Sequence, residues 1–472
     1  MLWLLGRDRV PAAQRARREG YGTIDQLGGT VLQDVVILET RASAQKNHYR
    51  ESKIFVRFEQ GFIIIALLLF SQAFFPFIQV GQPENVMEGN ALLQLLWKVI
   101  YGVAFVLILI QRKRVLAILT RDKLSLMLLA LIMLSFLWSQ APDITIRRSI
   151  AYFGTTLVAI YMAARFTLRE QFLMVVWMLL GGAVCSLIVT LVLPDVGKML
   201  HEGSMAWRGI YSHKNQLGRL MCLGAIVCFL IIMMKQWPRW IGWGGFALCS
   251  SLLILSESRT AIVVFVVLLG CIPFLYSFRW NVYAQLLLWM SAIMLGVVFT
   301  LGVVPNAEIL LESFGRDMTL TGRTELWATV IEMIREHPWL GYGYSGFWLG
   351  WDGESAYLWM VSNWNPPNSH NGFLDAALDV GLVGLVMILI GFITRLIKAF
   401  QYIRTKQSWE SFWPLLFLIY MIAGNLTETS LLDHNSFFWI LFISFGFSFA
   451  GKHEASKARE QTALTVEKGG RR

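Results

Sequence analysis

The chain has 472 residues, of which 56% are hydrophobic and 15% charged, with 31 Phe and 19 Trp. That balance excludes a soluble globular protein, which would need far more polar cover at this length, and indicates an integral membrane protein. The net charge of +10 does not point to nucleic acid. Its basic residues crowd both termini and a few short loops, where they act as topology determinants.

The N-terminal "MLWLLGRDRVPAAQRARREG" has an apolar run too short for a secretory signal, and arginines interrupt it at once. Residues 1–57 read as a basic cytoplasmic extension with one short amphipathic or strand-like piece at "TVLQDVVILE". From there a window of about 19 residues finds about twelve apolar segments. They centre near residues 70, 101, 131, 157, 182, 225, 248, 268, 293, 384, 417 and 443. Each is expected to be a helix, because lipid offers no partner to an open backbone. The expected fold is therefore all-α and polytopic. Nine spans lie in 58–303, one large loop in 304–372, three more spans in 373–451, and a basic tail in 452–472. All five cysteines (Cys185, Cys222, Cys228, Cys249 and Cys271) fall in apolar runs and show neither a disulfide nor a metal spacing.

With both termini inside, the loops "QRKRVLAILTRDK", "RFTLREQ", "KQWPR", "SFRWN" and "TRLIKAFQYIRTKQ" face the cytoplasm, and all are basic. The first outer loop, "GQPENVMEGN", has no Lys or Arg. Cations on the outer side are exceptions to this pattern: Arg147, Arg148, Lys198, Arg208, Lys214, Arg259, Arg316, Arg323 and Arg335. Five of the seven histidines (His201, His213, His337, His370 and His434) lie outside too. Loop 304–372 is too aromatic for disorder, and a long ordered loop is usually functional.

Among these exceptions, Arg147 and Arg148 open the fourth span, either as snorkelling anchors or as anion ligands. "WRGIYSHKNQLGRL" gathers Arg208, His213, Lys214 and Asn215 beside a stretch that must enter the bilayer. In "LLILSESRTAIVVFVV", Glu257 and Arg259 occupy a tight turn between spans, as an interfacial ion pair or an anion clamp. Arginine forks suit phosphate oxygens and lysine adds a point charge, so these cations could converge on a membrane-embedded diphosphate. No D-x-D motif or carboxylate cluster that would hold a divalent metal occurs in the outer segments.

The aromatic stretch "REHPWLGYGYSGFWLGWDGESAYLWMVSNW" reads equally as an interfacial belt or as platforms for sugar rings. Gly341 and Gly343 allow the turn that folds it back. In "PPNSHNGFLDAALDVGLVGLV", His370 and Asn371 stand where the loop re-enters the membrane. His370 is either a simple interfacial histidine or a proton acceptor. Asp375 and Asp379 share a helical face, where they serve the helix dipole or a site.

Six motifs in order, "LWSQAPDITIRRSIAY", "RGIYSHKNQLGRL", "SESRTA", "GRTELW", "EHPWLGYGYSGF" and "SHNGFLDAALDVGLVG", resemble the O-antigen ligase and polymerase (Wzy-C) superfamily. The "SHKNQLG" form is most similar to its ExoQ-like exopolysaccharide branch. The resemblance covers about residues 60–450. It implies a membrane glycosyltransferase on the outer face of a bacterial inner membrane, with an undecaprenyl-diphosphate-linked oligosaccharide as donor and a glycan as acceptor. A chain-length regulator and a flippase would be partners in the same pathway. By the resemblance, Arg147 or Arg148, Arg208, Arg259 and Arg323 match the family's basic residues, and His370 its loop histidine. His213, Lys214, Asn215 and Asn371 accompany them as substrate ligands, with no metal and no cofactor.

Three readings follow. A polymerase joins lipid-linked repeat units; a ligase moves a finished glycan to lipid A-core or to protein; a transporter or flippase moves the glycan across the membrane. The large loop breaks any six-plus-six symmetry, and "QRKRVLAILTRDK" lacks the Gly/Asp pattern of a major-facilitator loop. Those features disfavour the transporter, and the "SHKN" form alone favours the polymerase over the ligase.

Overall fold

The computed structural model describes residues 53–78, 90–201, 203–279, 282–303, 323–361 and 365–449. The expected N-terminal extension up to residue 52, loop residues 304–322 with Arg316, and the tail from residue 450 lie outside the described residues. The chain divides into two units, Met1–Glu59 and Gln60–Arg472; the site lies in the second.

The helices follow the apolar runs in order. They are α1 (Lys53–Phe70), α2 (Ala91–Ile110), α3 (Lys123–Leu134), α4 (Pro142–Arg165) and α5 (Leu168–Val192). A hairpin follows, β1 (Lys198–His201) and β2 (Ser204–Trp207). Then come α6 (Lys214–Met233), α7 (Arg239–Leu255), α8 (Arg259–Ser277), α9 (Val282–Val303), α10 (Arg323–Glu336), α11 (Ser355–Val361), α12 (Gly372–Thr405) and α13 (Trp413–Asn425). The apolar helix α14 (Phe437–Phe449) closes the described chain. Among the described residues five helices are long and apolar enough to cross a membrane: α2, α5, α6, α8 and α12. Four shorter apolar helical stretches lie in α3, α7, α9 and α14.

Polar caps start the greasy helices by satisfying N–H groups that lipid cannot. Asn90 accepts from Leu92 and Leu93 at α2, Asp122 from Ser125 at α3, and Thr167 with Glu170 forms a capping box at α5. One end of the bundle is stitched by the basic loops. There Arg395 bonds Asp122 at 2.7 Å, Arg169 pairs with Glu410 at 3.6 Å, and Arg279 donates to the carbonyls of Lys406, Gln407 and Ser408. The opposite end carries the hairpin, α10, α11 and the start of α12.

The fold is mostly helical, as expected, and one small hairpin accompanies the helices. Leu200 pairs with Met205 and Met199 with Ala206, so "KMLH" and "SMAW" form a small antiparallel sheet, with Gly203 at φ of 79° in the turn.

Helix α12 is two helices joined at Gly381, whose φ of 66° and ψ of −172° break the helix. Residues 338–342 repair the break: Tyr342 N–H donates to Leu378 carbonyl at 2.7 Å, while Leu382 and Val383 N–H donate to the carbonyls of Pro338 and Trp339. At about 1.5 Å per residue, the 382–405 half crosses a hydrocarbon layer of about 30 Å unaided. The first half instead packs under an outer cap. Leu326, Val330, Met333 and Ile334 of α10, with Tyr342, Phe347 and Leu358, form one buried cluster with Ala377 and Leu378.

Candidate functional site

Residues 426–436, "LTETSLLDHNS", run between two apolar helices at the end opposite the basic loops. This strap gathers the site. Arg323, at the first turn of α10, donates Nη1–H to the Thr427 carbonyl at 2.8 Å. Asn215 Nδ2–H donates to Glu428 at 3.3 Å from the first turn of α6. Thr429 Oγ1–H donates to Asp375, and its hydroxyl lies 3.4 Å from the Asn368 side-chain oxygen.

His370 is held by the same knot. Its backbone has φ of 52°, a left-handed conformation that costs a non-glycine residue energy unless neighbours impose it. Three neighbours do. Asn368 Oδ1 accepts its N–H at 2.9 Å, Asp375 accepts the Ser369 N–H at 3.1 Å, and the Ser369 carbonyl accepts Trp327 Nε1–H at 2.9 Å. Asp375 is 6% exposed and also accepts Trp348 Nε1–H at 2.9 Å. Its carboxylate thus fixes the turn instead of merely facing the helix dipole. Asn371 caps α12, accepting from Phe373 and Leu374. Burial first, and then the neighbouring Arg323 guanidinium, lower the His370 pKa to about 4. The imidazole is therefore neutral, a proton acceptor, at any ordinary pH.

The structure separates the Arg147–Arg148 pair. Arg147 is exposed, whereas Arg148 turns inward and donates Nη1–H to the Ser345 carbonyl at 3.2 Å. Ser345 N–H in turn donates to Asp379 at 2.9 Å, so the backbone of one residue joins α4 to α12. In the loop between them, Gly341 and Gly343 have φ of 66° and 88°, the left-handed turns that fold it back. The aromatic stretch divides its roles: Tyr342, Tyr344 and Phe347 are buried, while Trp339, Trp351 and Tyr357 are exposed.

The remaining expected residues are placed as follows. His213 caps α6, its Nδ1 accepting Asn215 N–H at 3.2 Å. Lys214 is buried at 6% exposure. Arg208 donates Nε–H to the Val196 carbonyl at 2.8 Å, at the root of the hairpin. Arg259 is exposed at the first residue of α8. The preceding Ser258 presses on α6, where a Cβ on Gly218 would come within 2.5 Å of it. The strap thus joins Arg323, Asn215, His370 and Asn371, and Arg148 lies within its electrostatic reach through Asp433. Among the described residues, no group of three His, Cys, Asp or Glu side chains is placed to hold a metal.

Sequence reasoning missed Arg219, Glu428, Thr429 and Asp433. Arg219 stands inside the "SHKNQLGRL" motif, four residues after Asn215 and so on the same face of α6. The others form a polar run between apolar spans, the kind of interruption that marked Arg259.

Residues 244–389 match the O-antigen ligase (Wzy_C) family model. This stretch holds Arg259, Arg323 and His370. Over 270 residues the chain is 26% identical to the exopolysaccharide production protein ExoQ of Rhizobium meliloti. The alignment covers 55% of this chain and 61% of that protein, less than two thirds of its length. The chain is thus similar to the O-antigen ligase superfamily and to its ExoQ-like branch, as the motifs indicated.

Proposed function

We propose that the chain polymerises undecaprenyl-diphosphate-linked oligosaccharide repeat units into exopolysaccharide or O-antigen. The reaction is metal-independent glycosyl transfer at the periplasmic face of a bacterial inner membrane, crossed about twelve times with both termini cytoplasmic. The observation that carries this reading is the juxtaposition of Arg323 and His370 on one rigid knot, a fixed cation beside a neutral imidazole.

That pairing suits attack on a glycosyl diphosphate. An acceptor hydroxyl oxygen bonds to the donor's anomeric carbon as the carbon–oxygen bond to the diphosphate breaks, and the diphosphate leaves with the electron pair. Diphosphate needs no strong acid to depart; cations that meet its charge supply the stabilisation. His370 takes the hydroxyl proton, a contribution of about 10²–10⁴-fold for a positioned base. Arg323, with Arg148, Arg208, Arg259 and Lys214 from neighbouring elements, forms the cationic surround, and Asn215 and Asn371 orient the donor.

The alternative is a ligase using the same donor chemistry with lipid A-core or protein as acceptor. The family model's description supports it, and the ExoQ likeness supports the polymerase. Purified chain in proteoliposomes, given lipid-linked donor alone, should produce a ladder of lengthening glycans, undiminished in EDTA. Transfer of one intact glycan only when lipid A-core is supplied would establish the ligase. No transfer to either acceptor would sink both.

A further inference from the structure

Asp375 sits in the first turn of α12, where a carboxylate ordinarily serves its own helix's N–H groups. Here Asn371 Oδ1 already accepts from Phe373 and Leu374, so that duty is filled. The Asp375 carboxylate turns away from its helix instead. One oxygen accepts Ser369 N–H at 3.1 Å and Trp348 Nε1–H at 2.9 Å, and the other accepts the Thr429 hydroxyl. The turn before α12, the outer cap and the strap therefore all end on one carboxylate, itself 6% exposed.

The arrangement fixes the peptide between Ser369 and His370. Ser369 is fully buried and its carbonyl accepts Trp327 Nε1–H. Its hydroxyl accepts the Asn371 N–H at 3.1 Å and donates to the Asn371 carbonyl at 2.8 Å. His370 follows with φ of 52°, a backbone that relaxes unless its neighbours over-determine it. Asn368 Oδ1 accepts the His370 N–H, and the same oxygen lies 3.4 Å from the Thr429 hydroxyl. Asp375 and Thr429 thus close a ring of contacts around the His370 backbone. The strap that carries Thr429 also grips Arg323, through the carbonyl of Thr427. The same contact therefore sets the imidazole in register with the guanidinium.

We infer that Asp375 is the positioning residue of the transfer base: through Ser369 and Thr429 it holds His370 at the angle from which it takes the acceptor's proton. The inference rests on the reading of His370 as that base. A side chain that acts through His370 has nothing left to do once the imidazole is gone, whereas one that only supports the fold still does.

The full chain in proteoliposomes with lipid-linked donor supplies the kinetic test. Asp375→Ala should lower kcat by about 10²-fold, the scale of loss when a reacting group is misplaced by about 1 Å. The donor's KM should stay near wild type. Asp375→Asn, which keeps an oxygen for Ser369 and Trp348, should recover most of the loss. Should Asp375→Ala fail to fold, Thr429→Val keeps the carboxylate and removes one bond to it. In a His370→Ala background, neither Asp375→Ala nor Thr429→Val should lower the residual rate further.

A second measurement needs no turnover. Hydrogen–deuterium exchange at the imidazole C2 position, followed by mass spectrometry of the His370 peptide across pH, gives the titration midpoint of that side chain. In wild type the midpoint should lie at about 4. A loosened turn admits water, so Asp375→Ala and Thr429→Val should both raise it towards about 6.5. The same fractional loss of rate with and without His370, or a midpoint left at about 4 in both variants, would overturn the inference. Wild-type chain that transfers nothing would count against the transfer reading, and the His370 midpoint would still decide whether Asp375 holds the turn.

Discussion

Gly341 and Gly381 lie backbone against backbone, so close that a Cβ on Gly341 would stand 2.8 Å from the Gly381 nitrogen. A Cβ on Gly381 would collide with the Trp339 carbonyl. Both residues have φ of 66°, in the left-handed region that side chains rarely adopt. The contact joins the outer cap to the break in α12.

Alanine at either glycine should therefore be costly. Left-handed strain alone is worth about 1–3 kcal/mol, and the atoms in the way are backbone, which cannot swing aside. Gly381→Ala and Gly341→Ala should lower the melting temperature in detergent and the amount of chain recovered from membranes. Gly244→Ala, in α7 with nothing within 4 Å of its Cβ, is the control and should match or exceed wild type. Wild-type melting of both interface variants would refute this account of the break.

The two glycines also show where the sequence was legible. Hydropathy marked the apolar runs and charge marked which loops share an end, because lipid and the positive-inside rule act on local composition. The six motifs pointed to His370, Arg323 and the Arg147–Arg148 pair without choosing between the two arginines. What stayed hidden depends on chain crossings. The repair of α12 by residues 338–342 lies in backbone hydrogen bonds that carry no side-chain pattern. The strap's grip on Arg323 uses the Thr427 carbonyl, a group every residue possesses. Asp375 and Asp379 shared a face legibly, but their partners, Ser369 and Ser345, became visible only when the loop folded back.

Arg148 and Arg147 should behave differently despite their adjacency. Losing Arg148 leaves the Ser345 carbonyl without its donor, a cost of about 1–3 kcal/mol, and loosens the peptide that Asp379 holds. Arg147 is exposed, where substitutions usually stay within about 0.5 kcal/mol. Arg148→Ala should cut turnover and lower the melting temperature; Arg147→Ala should do much less of both. Equal losses would place both side chains on the donor.

Arg259 opens α8, where a cation opposes the helix dipole by about 0.3–1 kcal/mol. Arg259→Ala should lose polymer formation while the chain stays in the membrane. Arg259→Lys should recover little, since a point charge cannot replace a bidentate fork. Normal polymer from Arg259→Ala would remove it from the donor site.

Orientation can be read by cysteine labelling. Ser355 is unsuited, being fully buried with its hydroxyl bonded to the Gly350 carbonyl. Asp352, exposed in the same turn, is the better position. Asp352→Cys should react with a membrane-impermeant maleimide in cells whose outer membrane alone is permeable. Reaction only after the inner membrane is breached would invert the topology and put the site in the cytoplasm.

The last expectation concerns proton transfer at His370. His370→Ala should lower kcat by about 10²–10⁴-fold and leave donor affinity nearly intact, because arginines hold the diphosphate. Burial and Arg323 depress the imidazole's pKa to about 4, so the unprotonated form persists well below the ordinary range. For wild type, kcat/KM, which reports the free enzyme, should stay level from pH 8 to about pH 5 and reach half near about pH 4. An unperturbed histidine would instead give half near about pH 6.5. Once donor binds, its diphosphate offsets the Arg323 charge, and the midpoint of kcat should move upward from that of kcat/KM. The same shift acts on folding. The unfolded chain takes up the proton first, so the neutral native imidazole is favoured at high pH, and stability is lost as pH falls from about 6.5 towards about 4. His370→Gln, which cannot titrate there, should lose less stability over that interval. Equal acid sensitivity of the two proteins, or a kcat/KM midpoint near pH 6.5, would show that His370 is not the buried neutral base. Loss of donor affinity in His370→Ala would make it a diphosphate ligand instead.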